Sequence, residues 1–247
     1  MPLRVAIFGA TSAIAASVAR RYAAQGAGLF LAGRSRDKLQ ALVGELGSAV
    51  LGYVEQDFEV LHEAAACVER ARVTLGKIDV ALIAHGFLAD QLQTERDVTA
   101  AEQALRVNAT SVIALLIPLA NTLEAQRHGS IAVMSSVAAE RGRPRNYTYA
   151  AAKASLNVYL QGLRSRLYPS GVAVHTLKLG PVDTPMTVDH EKNRLFTSPE
   201  AAAAQIVRSI ERGRSETFIP GRWRFIMPVV RLLPEAVFQR VRGLSGR

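Results

Sequence analysis

The sequence predicts an α/β protein built on one doubly wound parallel sheet, with helices on both faces. Short apolar, β-branched runs alternate with Ala- and Leu-rich stretches of helical period along most of the chain. The runs are apolar throughout, which is typical of parallel strands that helices cover on both sides. No Pro-, Gly- or Ser-rich linker divides the 247 residues, so we expect a single domain.

About seven strands and six longer helices are predicted, in alternation. The strands are 4–8, 28–32, 49–54, 78–84, 130–135, 172–177 and 217–219. The helices are 13–25, 36–46, 61–75, 97–125, 148–167 and 199–212. Right-handed crossovers give a sheet whose ligand lies beyond the carboxyl ends of the strands, where strand order reverses. We expect a catalytic domain over 1–221, with segment 222–247 packed on it or lying at a membrane surface.

Composition and charge narrow the classes of partner. The net charge is +9, but the cations, mostly arginines, are scattered and form no basic stripe interleaved with aromatics, so no nucleic-acid partner is expected. The single Cys67 favours a reduced compartment. The start shows no signal peptide, and the longest apolar run, 112–120, is too short to span a bilayer. We expect a cytoplasmic protein, with a contact at the inner membrane face left open, and no metal site.

The most informative spacing joins Ser136, Tyr149 and Lys153. A lysine four residues after a tyrosine lies on the same face of a helix, one turn along. Its charge favours the phenolate and is expected to pull the tyrosine pKa down from about 10. A serine hydroxyl from elsewhere can hold a carbonyl oxygen beside the phenol. An isolated tyrosine–lysine pair is more often a solvated helix face, so the surrounding motifs decide its meaning.

A candidate phosphate-binding turn directly follows the first strand and opens a helix. Its expected cofactor contacts are Gly9, Thr11, Ser12, Ala13 and Ile14. Backbone N–H groups in such a turn can approach a pyrophosphate at the helix N-terminus. Only Gly9 is glycine, and alanines stand at the other two positions where glycine is expected. Taken alone, the motif fits a simple tight turn equally well.

Residues after the second and third strands bear on the choice of nicotinamide cofactor. Arg34 follows the second strand, with Arg36 nearby, where an acidic residue would favour NAD. An arginine there suits a 2′-phosphate, so we expect NADP(H) to be preferred and NAD(H) to remain possible. Stacking of Arg34 on the adenine is the alternative. Asp57 either bonds the adenine amine or caps a helix.

Further candidate site residues follow the fourth and sixth strands. Gly86 permits a close approach to the cofactor, and His85 either touches the cofactor ribose or is structural. Asn108 lies mid-helix, where asparagine is a poor helix former, which suggests a functional position. The turn after the sixth strand adds Pro181, Val182 and Thr184, the last as a candidate partner for a carboxamide.

In this order and spacing, these residues closely resemble those of short-chain dehydrogenases/reductases over nearly the whole chain. The resemblance implies a Rossmann-type fold, a nicotinamide cofactor and carbonyl reduction. It also implies roles for four residues. Tyr149 would be the general acid/base, Ser136 would hold the carbonyl, Lys153 would contact the nicotinamide ribose and Asn108 would hold a relay water. The alanines in the phosphate turn and His85 depart from the family pattern.

A closer resemblance suggests a substrate. The stretches 136–143 and 225–238 resemble the reductase subunit of decaprenylphosphoryl-ribose 2′-epimerase, a family that reduces a 2-keto pentose on a polyprenyl phosphate. Arg141, Arg143 and Arg145 would then bind a phosphodiester, or they form a solvated basic loop. The apolar and arginine-rich tail, including Val241 and Arg242, would lie in a membrane interface, or it covers the substrate site or forms a subunit contact.

Other functions stay open on the sequence alone. The substrate is either a lipid-linked sugar or a small ketone, sterol or acyl compound. The alternative outside enzymes is a catalytically dead, nucleotide-binding scaffold. The complete set of catalytic residues argues against it. The resemblance to the family also implies a homodimer or homotetramer formed through the helices of Asn108 and Tyr149.

Overall fold

The computed structural model, which describes residues 2–188 and 191–240, shows a sheet of seven parallel strands. The strands are β1 (Arg4–Phe8), β2 (Gly28–Gly33), β3 (Val50–Glu55), β4 (Val80–Ile83), β5 (Ser130–Ser136), β6 (Ala173–Leu179) and β7 (Glu216–Ile219). Their order is β3-β2-β1-β4-β5-β6-β7. The chain therefore reverses direction across the sheet between β1 and β4, which opens a crevice at their carboxyl ends. The predicted α/β class and doubly wound sheet are confirmed.

Ten α-helices connect and flank the strands within the described ranges. They are α1 (Ala13–Ala24), α2 (Arg36–Leu46), α3 (Ala64–Leu75), α4 (Gln91–Thr94), α5 (Val98–Leu105), α6 (Ser111–Gln126), α7 (Tyr147–Leu167), α8 (Pro199–Glu211), α9 (Trp223–Leu232) and α10 (Glu235–Arg240). Helices α3, α6 and α7 cover one face of the sheet, and α1, α2 and α8 cover the other. The six helices predicted from the sequence account for seven of these, since 97–125 covers both α5 and α6, whereas α4, α9 and α10 were not predicted.

Successive strand residues point to opposite faces and build two cores. Ala6 and Phe8 of β1 pack under α3, α6 and α7, whereas Val5 and Ile7 pack under α1, α2 and α8. Both faces are therefore buried, which explains apolar runs without alternation. The edge strand β3 departs from this expectation. Its Leu51 and Tyr53 are 44% and 47% exposed because only one of its faces is covered.

The helix predicted over 97–125 is interrupted by a π-helical turn. Residues Arg106–Thr110 form this turn between α5 and α6. The combined stretch Val98–Gln126 is long and apolar enough to cross a bilayer by those criteria alone. Half of its most apolar window is buried, and residues such as Leu116 and Leu119 pack in the sheet core. We therefore assign it to the interior of this domain.

The C-terminal segment folds back onto the sheet domain. Trp223, Met227 and Val230 of α9 and Phe238 of α10 bury their side chains together with Val137. This cluster lies beside the loop that follows β5. Residues 241–247, which include Val241 and Arg242 of the predicted tail, lie outside the described residues.

Candidate active site

The four predicted catalytic residues meet at the carboxyl end of β5. Ser136 is the last residue of that strand, and its hydroxyl accepts a hydrogen bond from the Ala138 amide at 3.1 Å. Tyr149 and Lys153 lie one turn apart on α7, with the Lys153 ammonium nitrogen 5.9 Å from the centre of the Tyr149 ring. Asn108 lies in the π-helical turn, fully buried.

Burial dominates the protonation state of the catalytic tyrosine. It raises the pKa of Tyr149 to about 12, and a hydrogen bond with the Ser136 hydroxyl acts in the opposite direction. The expectation that Lys153 draws this pKa downward is not met in this structure, because desolvation of the phenol outweighs every favourable contact. Tyr149 is therefore a phenol at neutral pH. A protonated phenol is the form needed to donate a proton to a developing alkoxide.

Lys153 is a buried cation with a single fixed contact. Its ammonium group donates to the Met134 carbonyl oxygen at 3.1 Å, and only 3% of the residue is exposed. Burial lowers its pKa from 10.5 to about 8. The amine therefore loses its charge at a pH at which most lysines keep theirs.

The π-helical turn explains how Asn108 is held. Such a turn shifts the helical hydrogen bonds by one residue and leaves nearby carbonyls without their usual partners. The Asn108 amide nitrogen donates to the Ala104 carbonyl at 3.0 Å, and its amide oxygen accepts from the Phe87 N–H at 3.1 Å. The Ser111 hydroxyl donates to the Val107 carbonyl at 2.8 Å. Side chains thus replace the missing backbone donors.

Gly86 is required by this arrangement. Its φ is +154°, and a Cβ atom there would lie 2.8 Å from the Asn108 amide oxygen and 3.4 Å from the Lys153 ammonium nitrogen. Any side chain would therefore push apart two of the four catalytic residues.

A cavity of about 360 Å³ lies over the carboxyl ends of β1, β2 and β4. Its lining includes six predicted cofactor contacts: Gly9, Thr11, Ser12, Arg34, Asp57 and His85. Gly9 has φ +87°, and a Cβ atom there would collide with the backbone of His85. The Ser12 hydroxyl caps α1 by accepting from the Ala15 amide at 3.2 Å. The turn therefore presents the amino end of α1 to the cavity, as phosphate binding requires.

The charged residues of this cavity bear on cofactor choice. The Arg34 side chain is 75% exposed, and one guanidinium nitrogen lies 3.9 Å from a Glu59 carboxylate oxygen. A 2′-phosphate would therefore compete with Glu59 for Arg34. The Asp57 carboxylate accepts from the Glu59 amide at 3.0 Å. Asp57 thus shapes the turn after β3 and caps no helix within the described residues, and its place in the cavity lining leaves the adenine contact as a prediction.

His85 has one ring nitrogen available to a ligand. Ser111 donates its proton to Val107, so it must accept from Nε2 of His85, 2.8 Å away. Burial, reinforced by the charge of Lys153, lowers the pKa of His85 to about 3. The ring is therefore neutral and stacks on Phe58 with centroids 4.4 Å apart. Nδ1 remains a buried acceptor without a protein partner in the described ranges, as a ribose hydroxyl would require.

A larger cavity of about 520 Å³ adjoins the catalytic residues. Of the predicted residues, it is lined by Ile14, Ser136, Arg143, Arg145, Tyr149, Pro181, Val182 and Thr184. The turn after β6 is held by the Gly180 amide, which donates to Ile219 at 2.7 Å, and by the Thr187 hydroxyl, which donates to Val182 at 2.6 Å. Met186 lines both cavities, so the two adjoin.

The C-terminal segment forms one wall of the larger cavity, and covering the substrate site was one of the alternatives that the sequence left open for it. Trp223, Ile226 and Val230 of α9 line the cavity, together with Leu195 and Phe196 from the segment before α8. A Cβ atom on Gly180 would collide with the indole of Trp223, so this glycine makes room for α9. The signal in the sequence was the spacing of Trp223, Met227 and Val230 at i, i+4 and i+7, which indicates one helix face.

Arg141 does not serve the role suggested for it. Its guanidinium donates to the Val230 and Leu233 carbonyls at 2.7 and 2.6 Å, and it pairs with Glu235 at 2.7 Å. It also lies 3.9 Å over the ring of Phe238. These contacts hold the C-terminal segment, and Arg141 does not line the larger cavity, so Arg141 is removed from the candidate substrate contacts. Arg143 and Arg145 remain candidates.

Comparison with known proteins agrees with this geometry. The family model for short chain dehydrogenase matches residues 4–195. The chain belongs to the short-chain dehydrogenase family. An uncharacterized oxidoreductase of Streptomyces coelicolor is 32% identical over 242 residues, covering 97% of this chain and 96% of the relative. An uncharacterized oxidoreductase of Mycobacterium tuberculosis is 33% identical over 240 residues, 96% of each chain.

Two further matches extend the comparison. A hydroxysteroid 11-beta-dehydrogenase 1-like protein of Gallus gallus is 29% identical over 252 residues, covering 98% of this chain and 88% of the relative. The solved structure of a short chain dehydrogenase/reductase family protein superposes with a TM-score of 0.78 at 25% identity, covering 88% of this chain and 97% of the other. This protein is therefore a short-chain oxidoreductase that uses a nicotinamide cofactor.

Proposed function

We propose that this short-chain oxidoreductase is an NADPH-preferring carbonyl reductase whose leading substrate is a 2-keto sugar carried on a polyprenyl phosphate. The observation that carries the reductase proposal is the meeting of Ser136 and Tyr149 in the lining of the larger cavity, with Lys153 one helical turn from Tyr149. The substrate class rests on the resemblance to the reductase subunit of the epimerase and on the lining of that cavity.

The chain's own residues supply the proton and hold the reacting oxygen. Residues of the smaller cavity such as Gly9, Ser12 and Arg34 would hold a reduced nicotinamide cofactor, which would supply the hydride for the carbonyl carbon. The Ser136 hydroxyl donates a hydrogen bond to the carbonyl oxygen, and Tyr149 transfers its phenolic proton to that oxygen as negative charge develops. The charge of Lys153 stabilises the resulting phenolate until solvent returns a proton. Asn108 is the expected holder of a water on that path.

The preference for NADPH rests on Arg34. It is the cation at the edge of the smaller cavity, after β2, and no acidic side chain occupies that position. A 2′-phosphate there would displace Glu59, now 3.9 Å away, and form charge-assisted hydrogen bonds with the guanidinium.

The lining of the larger cavity supports a substrate with both a polar and an apolar part. Arg143, Arg145 and Asn146 supply cationic and amide groups next to Tyr149. The Nε atom of Arg143 and the Oδ1 atom of Asn146 are buried without protein partners in the described ranges. Because a buried polar atom without a partner is costly, a hydroxylated, phosphate-bearing substrate would satisfy both atoms. The α9 wall supplies the apolar surface for a lipid chain.

A small apolar ketone is the second candidate. Leu88, Leu195, Phe196, Ile226 and Val230 form an apolar lining that a sterol would also fill. The similarity to the Gallus gallus hydroxysteroid 11-beta-dehydrogenase 1-like protein gives this candidate its specific support.

The deciding experiment follows nicotinamide absorbance with the purified protein. NADPH and NADH are offered with a polyprenylphosphoryl 2-keto pentose, a 3-keto sterol, a β-ketoacyl thioester and small soluble ketones. We expect the highest kcat/KM with NADPH and the lipid-linked sugar. Turnover confined to the sterol or the small ketones would discard the lipid-sugar proposal and keep the reductase. No turnover with any substrate, despite cofactor binding, would favour a nucleotide-binding scaffold.

Matched variants separate the chemistry from substrate recognition. Tyr149→Phe should lower kcat by at least about 1,000-fold, since general acid catalysis contributes about 10²- to 10⁴-fold. Tyr147→Phe, two residues earlier on the same helix and 44% exposed, is the control. Arg143→Ala should raise KM for the phosphate-bearing substrate about tenfold and leave a neutral ketone unaffected, because a charge-assisted contact contributes roughly 1.5–3 kcal/mol.

A further inference from the structure

Helix α9 has two apolar faces, and the residues that the structure describes cover only one of them. Trp223, Met227 and Val230 form the inner face and are buried against the domain. Phe225, Val229 and Leu232 repeat the i, i+4, i+7 spacing on the outer face, where they are 68%, 61% and 83% exposed. Single exposed apolar side chains are ordinary, but three on one face of a ten-residue helix form a patch that indicates a contact.

The charged residues of α9 itself are all arginines, of which Arg231 pairs with Glu140 at 3.3 Å. Between Glu216 and Glu235 the sequence contains no acidic residue, whereas Arg222, Arg224 and Arg231 fall in that interval. Arg224 and Arg231 are seven residues apart and therefore form a row along the helix, beside the apolar residues. The guanidinium of Arg224 lies 4.8 Å over the ring of Phe225. A face with an apolar stripe and a parallel arginine row matches a lipid surface bearing negative headgroups.

The same helix forms a wall of the larger cavity. Trp223 and Val230 of its inner face line that cavity, and two further lining residues, Met186 and Leu195, are themselves 47% and 37% exposed. Arg222 connects α9 to the segment before α8 by donating to the Leu195 and Phe196 carbonyls at 3.4 and 3.1 Å. The helix that carries the exposed apolar face is therefore also a wall of the larger cavity.

We propose that the outer face of α9 docks this protein onto the surface of an anionic lipid bilayer. Phe225, Val229 and Leu232 enter the headgroup boundary, and Arg224 contacts a lipid phosphate, whereas Arg231 is already paired with Glu140. A second copy of the chain fits less well, because α9 contains no acidic residue and a two-fold contact through this face would bring Arg224 against its copy. The docking would bring the helix that walls the larger cavity to the membrane, where a lipid-bound substrate is held.

The test is co-sedimentation of the full-length protein with vesicles and needs no turnover. We expect binding to mixed phosphatidylglycerol–phosphatidylcholine vesicles that weakens as salt rises, and little binding to phosphatidylcholine alone. Phe225→Ser combined with Leu232→Ser should reduce the partition coefficient at least about tenfold, since apolar burial drives insertion. Arg224→Gln should reduce it about fivefold, the equivalent of about 1 kcal/mol for one arginine near the surface.

Controls place equal changes elsewhere on the molecule. Val73 and Leu92 are exposed to a similar degree, at 64% and 63%, so Val73→Ser with Leu92→Ser should leave vesicle binding unchanged. Arg70→Gln is the charge control on the exposed side of α3. Each variant must keep the wild-type melting temperature. If the Phe225/Leu232 double variant is destabilised, the single variant Val229→Ser is tested in its place.

Three results would overturn the proposal. One is the absence of binding to anionic vesicles at low salt. Another is equal binding by the α9 variants and the controls. The third is light scattering that shows a wild-type dimer which the Phe225/Leu232 variant converts to a monomer, because the outer face would then be a subunit contact. None of these results depends on the identity of the ketone, so this proposal and the proposed function can fail separately.

Discussion

The two cavities of this molecule are built in different ways. The smaller cavity lies at the sheet's reversal point and is formed by short turns directly after β1, β2, β3 and β4. One wall of the larger cavity is formed by α9, which follows the last strand of the sheet in the sequence. Cofactor contacts are thus fixed by the sheet itself, whereas substrate contacts depend on side chains that hold a separate segment in place.

Two adjacent residues connect the catalytic loop to that segment with opposite charges. Glu140 pairs with Arg231 of α9 at 3.3 Å, and Arg141 pairs with Glu235 at the start of α10 at 2.7 Å. Glu140 also pairs with the buried Lys178 of β6 at 2.8 Å. Because this loop begins at Ser136, the position of the substrate wall is tied to the catalytic strand.

The largest expected effect concerns the charge of Lys153, which lies one helical turn from Tyr149. Lys153→Met should lower turnover at least about 100-fold, since Lys153 stabilises the Tyr149 phenolate. The same change should raise the free energy of unfolding at pH 7 by about 1–3 kcal/mol, because burial depresses the pKa of this lysine and a desolvated charge is removed. Kinetics and thermal unfolding measure the two effects. A variant that loses both activity and stability would contradict this account.

The titration of Lys153 also predicts a pH dependence. Its folded-state pKa, about 8, lies below the usual lysine value of 10.5, so the folded protein releases this proton at lower pH than the unfolded chain. Reduction should therefore fall as pH rises through about 8, as the charge beside Tyr149 is lost. The contribution of Lys153 to unfolding free energy should rise between pH 8 and 10.5, since the unfolded chain binds the proton more tightly there. A flat rate profile from pH 7 to pH 10 would exclude a role for this charge.

The substrate wall should respond to loss of Trp223 without change in cofactor affinity. Trp223→Ala should cost about 3–5 kcal/mol of unfolding free energy and raise KM for the ketone, because the indole fills space against Gly180. Phe225→Ala, two residues away and 68% exposed, is the control for both measurements. Weakened NADPH binding in Trp223→Ala, measured by nucleotide titration, would show that the two cavities are not built independently.

A change in the smaller cavity should alter the use of the cofactor and leave KM for the ketone unchanged. Arg34→Glu should lower the ratio of kcat/KM for NADPH over NADH about 10- to 100-fold, since one charge-assisted contact is replaced by repulsion. KM for the ketone should stay unchanged. Arg36→Glu, on the exposed start of α2, should shift the ratio much less, because Arg36 does not line the cavity. Equal shifts in the two variants would assign the discrimination to general charge rather than to Arg34.

The smallest expected effect tests the π-helical turn. Ser111→Ala removes the hydroxyl that joins Nε2 of His85 to the Val107 carbonyl, at a cost of about 1 kcal/mol. We expect kcat to fall about three- to tenfold with little change in KM, because Asn108 is then held less firmly. Thr110→Ala, the exposed hydroxyl next to it, is the control. A change in KM alone would argue that Ser111 only shapes the cavity.

The comparison also explains which features the sequence could predict. Gly9, Tyr149 and Lys153 act through local geometry, a turn or one helical repeat, so their spacing in the chain carries the information. Arg141 and Trp223 act through contacts with residues tens of positions away, which spacing cannot show. The π-helical turn at Asn108 was not predicted, because a shift of one hydrogen bond does not visibly change the periodicity of the sequence.

The raised pKa of Tyr149 could not be predicted from the sequence, for a different reason. The sequence places a cation one turn away, which alone would lower the pKa of the phenol. Burial of the phenol acts in the opposite direction and is stronger here. Desolvation depends on what packs around a group in three dimensions, so a motif four residues long cannot report it.

The central claim is that hydride reaches a carbonyl carbon in the larger cavity while Tyr149 protonates the oxygen. The most direct measurement uses NADPH deuterated at the transferred position and mass spectrometry of the alcohol product. The account predicts one deuterium on the former carbonyl carbon with the wild-type protein and with Tyr147→Phe, and almost no product with Tyr149→Phe. Consumption of NADPH without deuterium in the product, or full turnover by Tyr149→Phe, would contradict it.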